Sequence, residues 1–140
     1  KVFENKEQVP LIVGMFQKEV AKRIASPPGS KEYGILSVLL QAFYDVEYLF
    51  TVDEWEFSPA PKVKSAVIKI TRNADKKLSC NLKNFKTVVK TAFNQRRKTL
   101  RNSLKSLTGE IDTGSPIFSK RPEQLSVEEF TIITKLIFNE

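Results

Sequence analysis

Four cations fall within six positions at Arg96, Arg97, Lys98 and Arg101, with Lys90 and Lys105 on either side. Guanidinium groups grip phosphate oxygens in a bidentate fork and stack on bases, while lysine adds a point charge. Between residues 76 and 109 there are ten Lys and Arg and no Asp or Glu, so the other 13 cations share the chain with all 16 acids. The net charge of +7 therefore belongs to one segment. A charge run of this length is ordinarily a solvated helix face, but such faces interleave acids and this one does not. Its field attracts a polyanion, of which a phosphate backbone is the commonest large example. The i, i+4, i+8 spacing of Arg97, Arg101 and Lys105 predicts one helical face, a rail for phosphates.

The second stretch that bears on chemistry is Phe57-Ser58-Pro59-Ala60-Pro61-Lys62. Its two prolines fix the backbone and stiffen a loop that carries an aromatic ring. By itself Phe57 reads as a ring packing back onto a sheet, and Lys62 as either a phosphate contact or a solvated charge. Little else suits catalysis. The chain has no histidine, so Ser-His and Cys-His nucleophile pairs and Cys/His zinc clusters are excluded within it. Its five glycines never form a G-x-G phosphate loop. Glu19, Tyr33 and Asp45 have no partner in sequence, and Cys80 reads as structural.

At 140 residues, 41% hydrophobic and 28% charged, the composition is that of an ordinary globular protein. A single cysteine fits a reducing compartment. No apolar run approaches the roughly 18 residues of a membrane span. A cytoplasmic protein with no membrane and no metal partner is expected.

The elements that must position these residues divide into two parts. Residues 9–16 form a continuous apolar run, which predicts a strand buried on both faces, and residues 17–26 an amphipathic helix ended by Pro27-Pro28-Gly29. Residues 34–44 predict a helix packed on the sheet. Residues 45–52 and 65–71 alternate with period two, as strands of an edge hairpin whose loop carries Phe57. Polar residues 72–77 read as a linker. Beyond them Phe85, Val88, Val89, Ala92 and Phe93 recur at helical spacing, and Leu100, Leu104 and Leu107 continue the pattern. Arg96 interrupts this stripe, so the helix is expected to bend or break near Gln95, with Asn94 and Asn102 as possible caps and Arg96 itself as a fold or interface residue. Ser126 and Glu129 form a capping-box pattern that opens a last helix. The expected fold is an α/β remnant over residues 1–73, comprising the last strands and helices of a larger sheet, followed by a small all-α C-terminal domain over residues 74–140.

Three stretches together carry a family resemblance. Phe57-x-Pro59-x-Pro61-Lys62-Val63-x-Ser65-Ala66-Val67 and Gln95-Arg96-Arg97-Lys98-Thr99-Leu100-Arg101-Asn102 are similar to signatures of the ribosomal RNA adenine dimethyltransferases of the KsgA type. Residues 17–21 with Pro28-Gly29-Ser30-Lys31-x-Tyr33-Gly34 resemble a third, and Arg121-Pro122-Glu123-Gln124-Leu125-Ser126 extends the likeness toward the last helix. The resemblance implies a Rossmann-like S-adenosylmethionine domain followed by a helical domain, dimethylating two adjacent adenosines near the 3′ end of small-subunit rRNA. It implies that Phe57 forms one face of a clamp on the swung-out target base. It makes Arg96, Arg97, Lys98, Arg101, Lys105, Lys90 and Lys62 candidates for RNA contact. The family's Gly-rich cofactor loop, acidic ribose ligand and N-[LI]-P-Y motif have no counterpart in this sequence. The chain is therefore expected to be the last part of such an enzyme, binding no cofactor and inactive alone. Two other readings remain open: a non-catalytic basic nucleic-acid-binding protein, and a large-subunit rRNA adenine methyltransferase of the macrolide-resistance type.

Overall fold

A computed structural model describes all residues from Lys1 to Glu140. A short 3-10 turn, Phe3–Asn5, precedes strand β1 (Leu11–Gln17), which passes directly into helix α1 (Lys18–Ala25). Pro27 and Pro28 end α1, as expected for residues that cannot continue a helix. Helix α2 (Ile35–Gln41) leads into strand β2 (Tyr44–Val52), and a loop with a 3-10 turn at Glu54–Glu56 returns the chain as strand β3 (Ser65–Arg72). Beyond β3 the regular elements are all helical: α3 (Leu82–Asn94), α4 (Leu100–Ser103), α5 (Lys105–Thr108), two 3-10 turns and α6 (Val127–Phe138).

The sheet has three strands in the order β1-β3-β2, with both pairings antiparallel. The expected hairpin of β2 and β3 forms, but β3 takes the centre because β1 pairs along its other side. Register places Ile12, Ile70 and Val46 in one row and Met15, Val67 and Phe50 in another, with a bulge between Tyr48 and Phe50. Ala66, Ile68 and Ile70 of β3 are buried on the face that α1 covers, and α1 and α2 both pack on β2. The opposite face of the sheet is open: Leu11, Val13 and Met15 are each more than half exposed. The expectation that β1 is buried on both faces is therefore corrected. Alternate side chains of a strand point to opposite faces, and here only one face is covered.

The buried side chains form one continuous cluster that draws on both parts of the chain. Phe85, Val88, Val89 and Ala92 of α3 pack with Phe130, Ile133 and Ile137 of α6, and with Leu100 and Leu104. Phe93 lies between the Tyr33 ring at 6.2 Å and the Phe130 ring at 5.9 Å, both contacts within the range of favourable aromatic pairs. The polar stretch read as a linker is tied down. The Arg72 guanidinium donates to the carbonyls of Phe43 (2.9 Å) and Asn73 (2.6 Å) and pairs with Glu7 at 3.1 Å. Lys76 donates to the carbonyls of Gln41 and Tyr44 and pairs with Asp45 at 3.0 Å.

Candidate nucleic-acid interface

The basic segment is shaped by where α3 stops. Asn81 caps its start, its side-chain oxygen accepting from the Lys83 and Asn84 backbone N–H groups at 2.9 and 3.2 Å. The helix ends at Asn94, and Gln95 leaves helical geometry at φ −124° and ψ 52°. The expected break is thus present, and Arg96 shows its cause. Its Nη2 donates to the Lys31 carbonyl, with a longer contact to Ser30 at 3.5 Å. An arginine following the apolar stripe is drawn across to the loop before α2 instead of entering the core. Arg96 therefore ties the helical part to the α/β part.

Arg97 and Lys98 sit exposed on the turn that follows, held by the Lys98 N–H donating to Gln95 at 2.9 Å. Arg101 lies on α4 and Lys105 opens α5, with Leu104 between them outside either helix. The single-helix rail of Arg97, Arg101 and Lys105 is thus corrected: the three stand on a turn and two separate helical turns. Leu100, Ser103, Leu104 and Thr108 all face inward while the cations remain outside. Arg101 also carries a local task, donating through Nε and Nη2 to the Thr113 carbonyl at 3.3 and 3.0 Å. The caps suggested at Asn94 and Asn102 are corrected too. Thr99 is the N-cap residue of α4, and Asn102 only donates to its hydroxyl at 3.3 Å.

Lys90 is exposed on the outer side of α3, where Lys83 precedes it by two turns; the sequence reading passed over Lys83 although it shares the spacing. Of the ten cations between residues 76 and 109, only Lys76 forms an ion pair. Its hydrogen bond, helped by Asn73, holds the Asp45 carboxyl below the usual carboxylate range. Arg97, Lys98, Lys105 and Lys90 have no acidic partner in the fold.

Phe57 follows the 3-10 turn Glu54–Glu56, its N–H donating to the Glu54 carbonyl at 3.4 Å. The ring is half-buried, between the packed and the free readings, and Pro59, Pro61 and Lys62 are exposed beyond it. Trp55, on the same turn, was not singled out from sequence, although an aromatic two residues from Phe57 was the available signal.

A cleft of about 730 Å³ opens between α1, the start of α2 and the end of α3, bordered by Lys22, Arg23, Lys31 and Arg96 and by Glu19 and Glu32. A second, of about 510 Å³, lies between residues 75–79 and the start of α6 and is bordered by Lys76, Lys77 and Lys135 and by Asp75 and Glu128. Each has more cations than acids on its wall. No group of His, Cys, Asp and Glu is placed to hold a metal, and no helix is long and apolar enough to cross a membrane.

The model of the ribosomal RNA adenine dimethylase family matches residues 1–136. The chain belongs to that family. Two curated relatives, both named ribosomal RNA small subunit methyltransferase A, are 66% identical over 136 residues (Parabacteroides distasonis) and 63% identical over 139 residues (Bacteroides thetaiotaomicron). They match 96% and 98% of this chain but 51% and 52% of their own lengths, so the chain spans about half the length of these relatives. Among solved structures, a dimethyladenosine transferase from Plasmodium falciparum superposes with a TM-score of 0.76 at 22% identity, over 99% of this chain and 60% of that one. The 23S rRNA methyltransferase ErmE superposes with a TM-score of 0.56, also at 22% identity, over 88% of this chain and 54% of its own. At that identity both likenesses concern the fold.

Proposed function

We propose that this chain is the RNA-holding part of an rRNA adenine dimethyltransferase that acts on two adjacent adenosines near the 3′ end of small-subunit rRNA. The observation that carries the proposal is the set of exposed cations without acidic partners, Arg97, Lys98, Lys105 and Lys90. Unneutralised cations in water gain by releasing the counterions of a phosphate backbone, whereas internally paired cations do not. Arg101 joins them with the donors that Thr113 does not engage, and Lys62 adds charge beside Phe57. Arg96 acts one step removed, holding the helical part against the loop that borders the larger cleft. Residues 1–73 and 74–140 act as two functional parts, the first presenting Phe57 and the second the phosphate contacts.

Phe57 stacks on the extruded adenine, and the proline-stiffened loop limits the entropy lost on ordering the ring. Transfer of a methyl group to an exocyclic amine needs chiefly the orientation of the nitrogen lone pair. S-adenosylmethionine supplies the methyl group in the whole enzyme, and this chain alone binds none and is inactive. The match to about half the length of the relatives supports this partial form. The small-subunit substrate is favoured over the large-subunit one by relatives at 66% and 63% identity that carry a small-subunit name.

Fluorescence anisotropy of a labelled RNA hairpin carrying two adjacent adenosines tests the reading. Binding that weakens steeply with salt is expected, with a slope of about 0.7 to 0.9 per phosphate contact. Absence of binding at low salt would overturn it. Calorimetry with S-adenosylmethionine is expected to show no heat, and measurable affinity would overturn the partial form.

A further inference from the structure

Trp55 is the only tryptophan in the chain and, at 66% exposure, the most exposed of its large apolar side chains. A ring of that size in water forgoes the burial that usually accounts for its presence. It sits on the 3-10 turn Glu54–Glu56, two residues before Phe57 and seven before Lys62. Lys64 stands over one face, its Nζ 5.8 Å from the ring centroid, within reach of a cation–π contact. The same ammonium pairs with Asp53 at 2.9 Å, and that bond raises the Lys64 pKa, so the charge over the ring is held in place. One face of the indole is thus covered by a fixed cation while most of the ring remains open to solvent.

The charges around the ring indicate the kind of ligand. Asp53, Glu54 and Glu56 share this short turn, so it does not draw a phosphate to itself. A nucleobase carries no charge and offers a π-face whatever its sequence. Lys62, exposed seven residues further along the chain, supplies charge for the backbone that follows.

We propose that Trp55 is a stacking platform for an unpaired nucleobase flanking the target adenosine, with Lys64 fixing the ring from its other side. This rests on the RNA reading of the site above and assigns a second, adjacent aromatic contact to it. The platform orders the strand next to the base that Phe57 receives. Stacking carries no net charge, so its contribution is insensitive to salt, unlike that of Arg97.

Because there is a single tryptophan, its emission reports this position alone. The experiment titrates the chain with the same adenosine-bearing RNA hairpin, reading tryptophan emission with unlabelled RNA and anisotropy with labelled RNA. Quenching of Trp55 in step with the anisotropy change is expected. Trp55→Ala weakens binding by about 5- to 150-fold, as for loss of one base–aromatic stack, and leaves the salt slope unchanged. Trp55→Phe, which retains a π-face, recovers most of the affinity, and circular dichroism confirms that both variants are folded. RNA binding with unchanged emission, or with Trp55→Ala at wild-type affinity, would overturn the platform and leave the RNA reading standing. A fall in salt slope in Trp55→Ala would also overturn it, since that marks a lost phosphate contact. No RNA binding by the wild-type chain would overturn both.

Discussion

Arg96 and Arg97 are neighbours in sequence with opposite surroundings, so their substitutions should separate stability from RNA binding. The Arg96 guanidinium donates to the Lys31 carbonyl, whereas Arg97 is exposed and has no acidic partner. A hydrogen bond from a charged group contributes about 1.5–3 kcal/mol. Arg96 is only half-buried, so solvent competes for its donors and about 1 kcal/mol is the appropriate share. For 140 residues the unfolding entropy is about 0.3 kcal/mol/K, so Arg96→Ala should lower Tm by about 3 °C. Arg97→Ala should leave Tm within about 1 °C, as exposed substitutions do. In anisotropy titrations Arg97→Ala should lower the slope of log K against log salt by about 0.7 to 0.9, the loss of one phosphate. Wild-type affinity should then fall about threefold more than that of the variant between 50 and 200 mM salt. The reverse pattern would refute the division, with Arg96→Ala flattening the slope at unchanged Tm and Arg97→Ala leaving the slope intact.

Three further outcomes follow from packing, capping and charge. Phe130→Ala removes a fully buried ring that meets Phe93 at 5.9 Å, and denaturant unfolding should show a loss of about 3–5 kcal/mol. Ser126→Ala removes the acceptor for the Glu129 N–H at 3.1 Å and should cost about 0.5–2 kcal/mol in the same assay. Burial of the Glu129 carboxyl raises its pKa, but hydrogen bonds from Lys120 and the Ser126 N–H outweigh it and hold the group below the usual range. A carboxyl depressed in the folded state stabilises above its unfolded value of about 4.3, and that contribution is lost as pH falls through the lower folded value. Glu129→Gln should therefore unfold with a flatter pH dependence below about pH 4.5, with the difference from wild type greatest near neutrality. An acid limb identical to wild type would refute this role of Glu129.

The local elements were legible because each leaves a periodic or chemical mark. Alternation in residues 45–52 and 65–71 corresponds to β2 and β3, whose bounds Tyr44–Val52 and Ser65–Arg72 differ by a residue. The Ser126 and Glu129 pattern is a true reciprocal cap, with backbone N–H groups of both residues satisfied. The break near Gln95 could be read because a charged residue cannot continue an apolar stripe. The candidate site was legible as a charge anomaly at Arg96 to Arg101, but its geometry was not. Spacing assumes an unbroken helix, whereas the chain leaves helical geometry at Gln95 and again at Leu104, between α4 and α5. Trp55 was legible only as an aromatic two residues from Phe57; its exposure was not, because sequence does not tell an exposed ring from a packed one.

The sequence by itself determined where the net charge lies, since charge is a property of residue types and a run without acids cannot be neutralised locally. It also determined the strand and helix segments, through side-chain period. Only the tertiary structure decided which cations are available. Lys76 is pinned to Asp45, Arg96 to Lys31, and Arg101 in part to Thr113, while Arg97, Lys98, Lys105 and Lys90 have no acidic partner. Each tie reaches a residue more than ten positions away, and such pairings depend on how the elements pack, which local pattern does not contain. The same packing placed β3 at the centre of the sheet and covered one face of β1 alone.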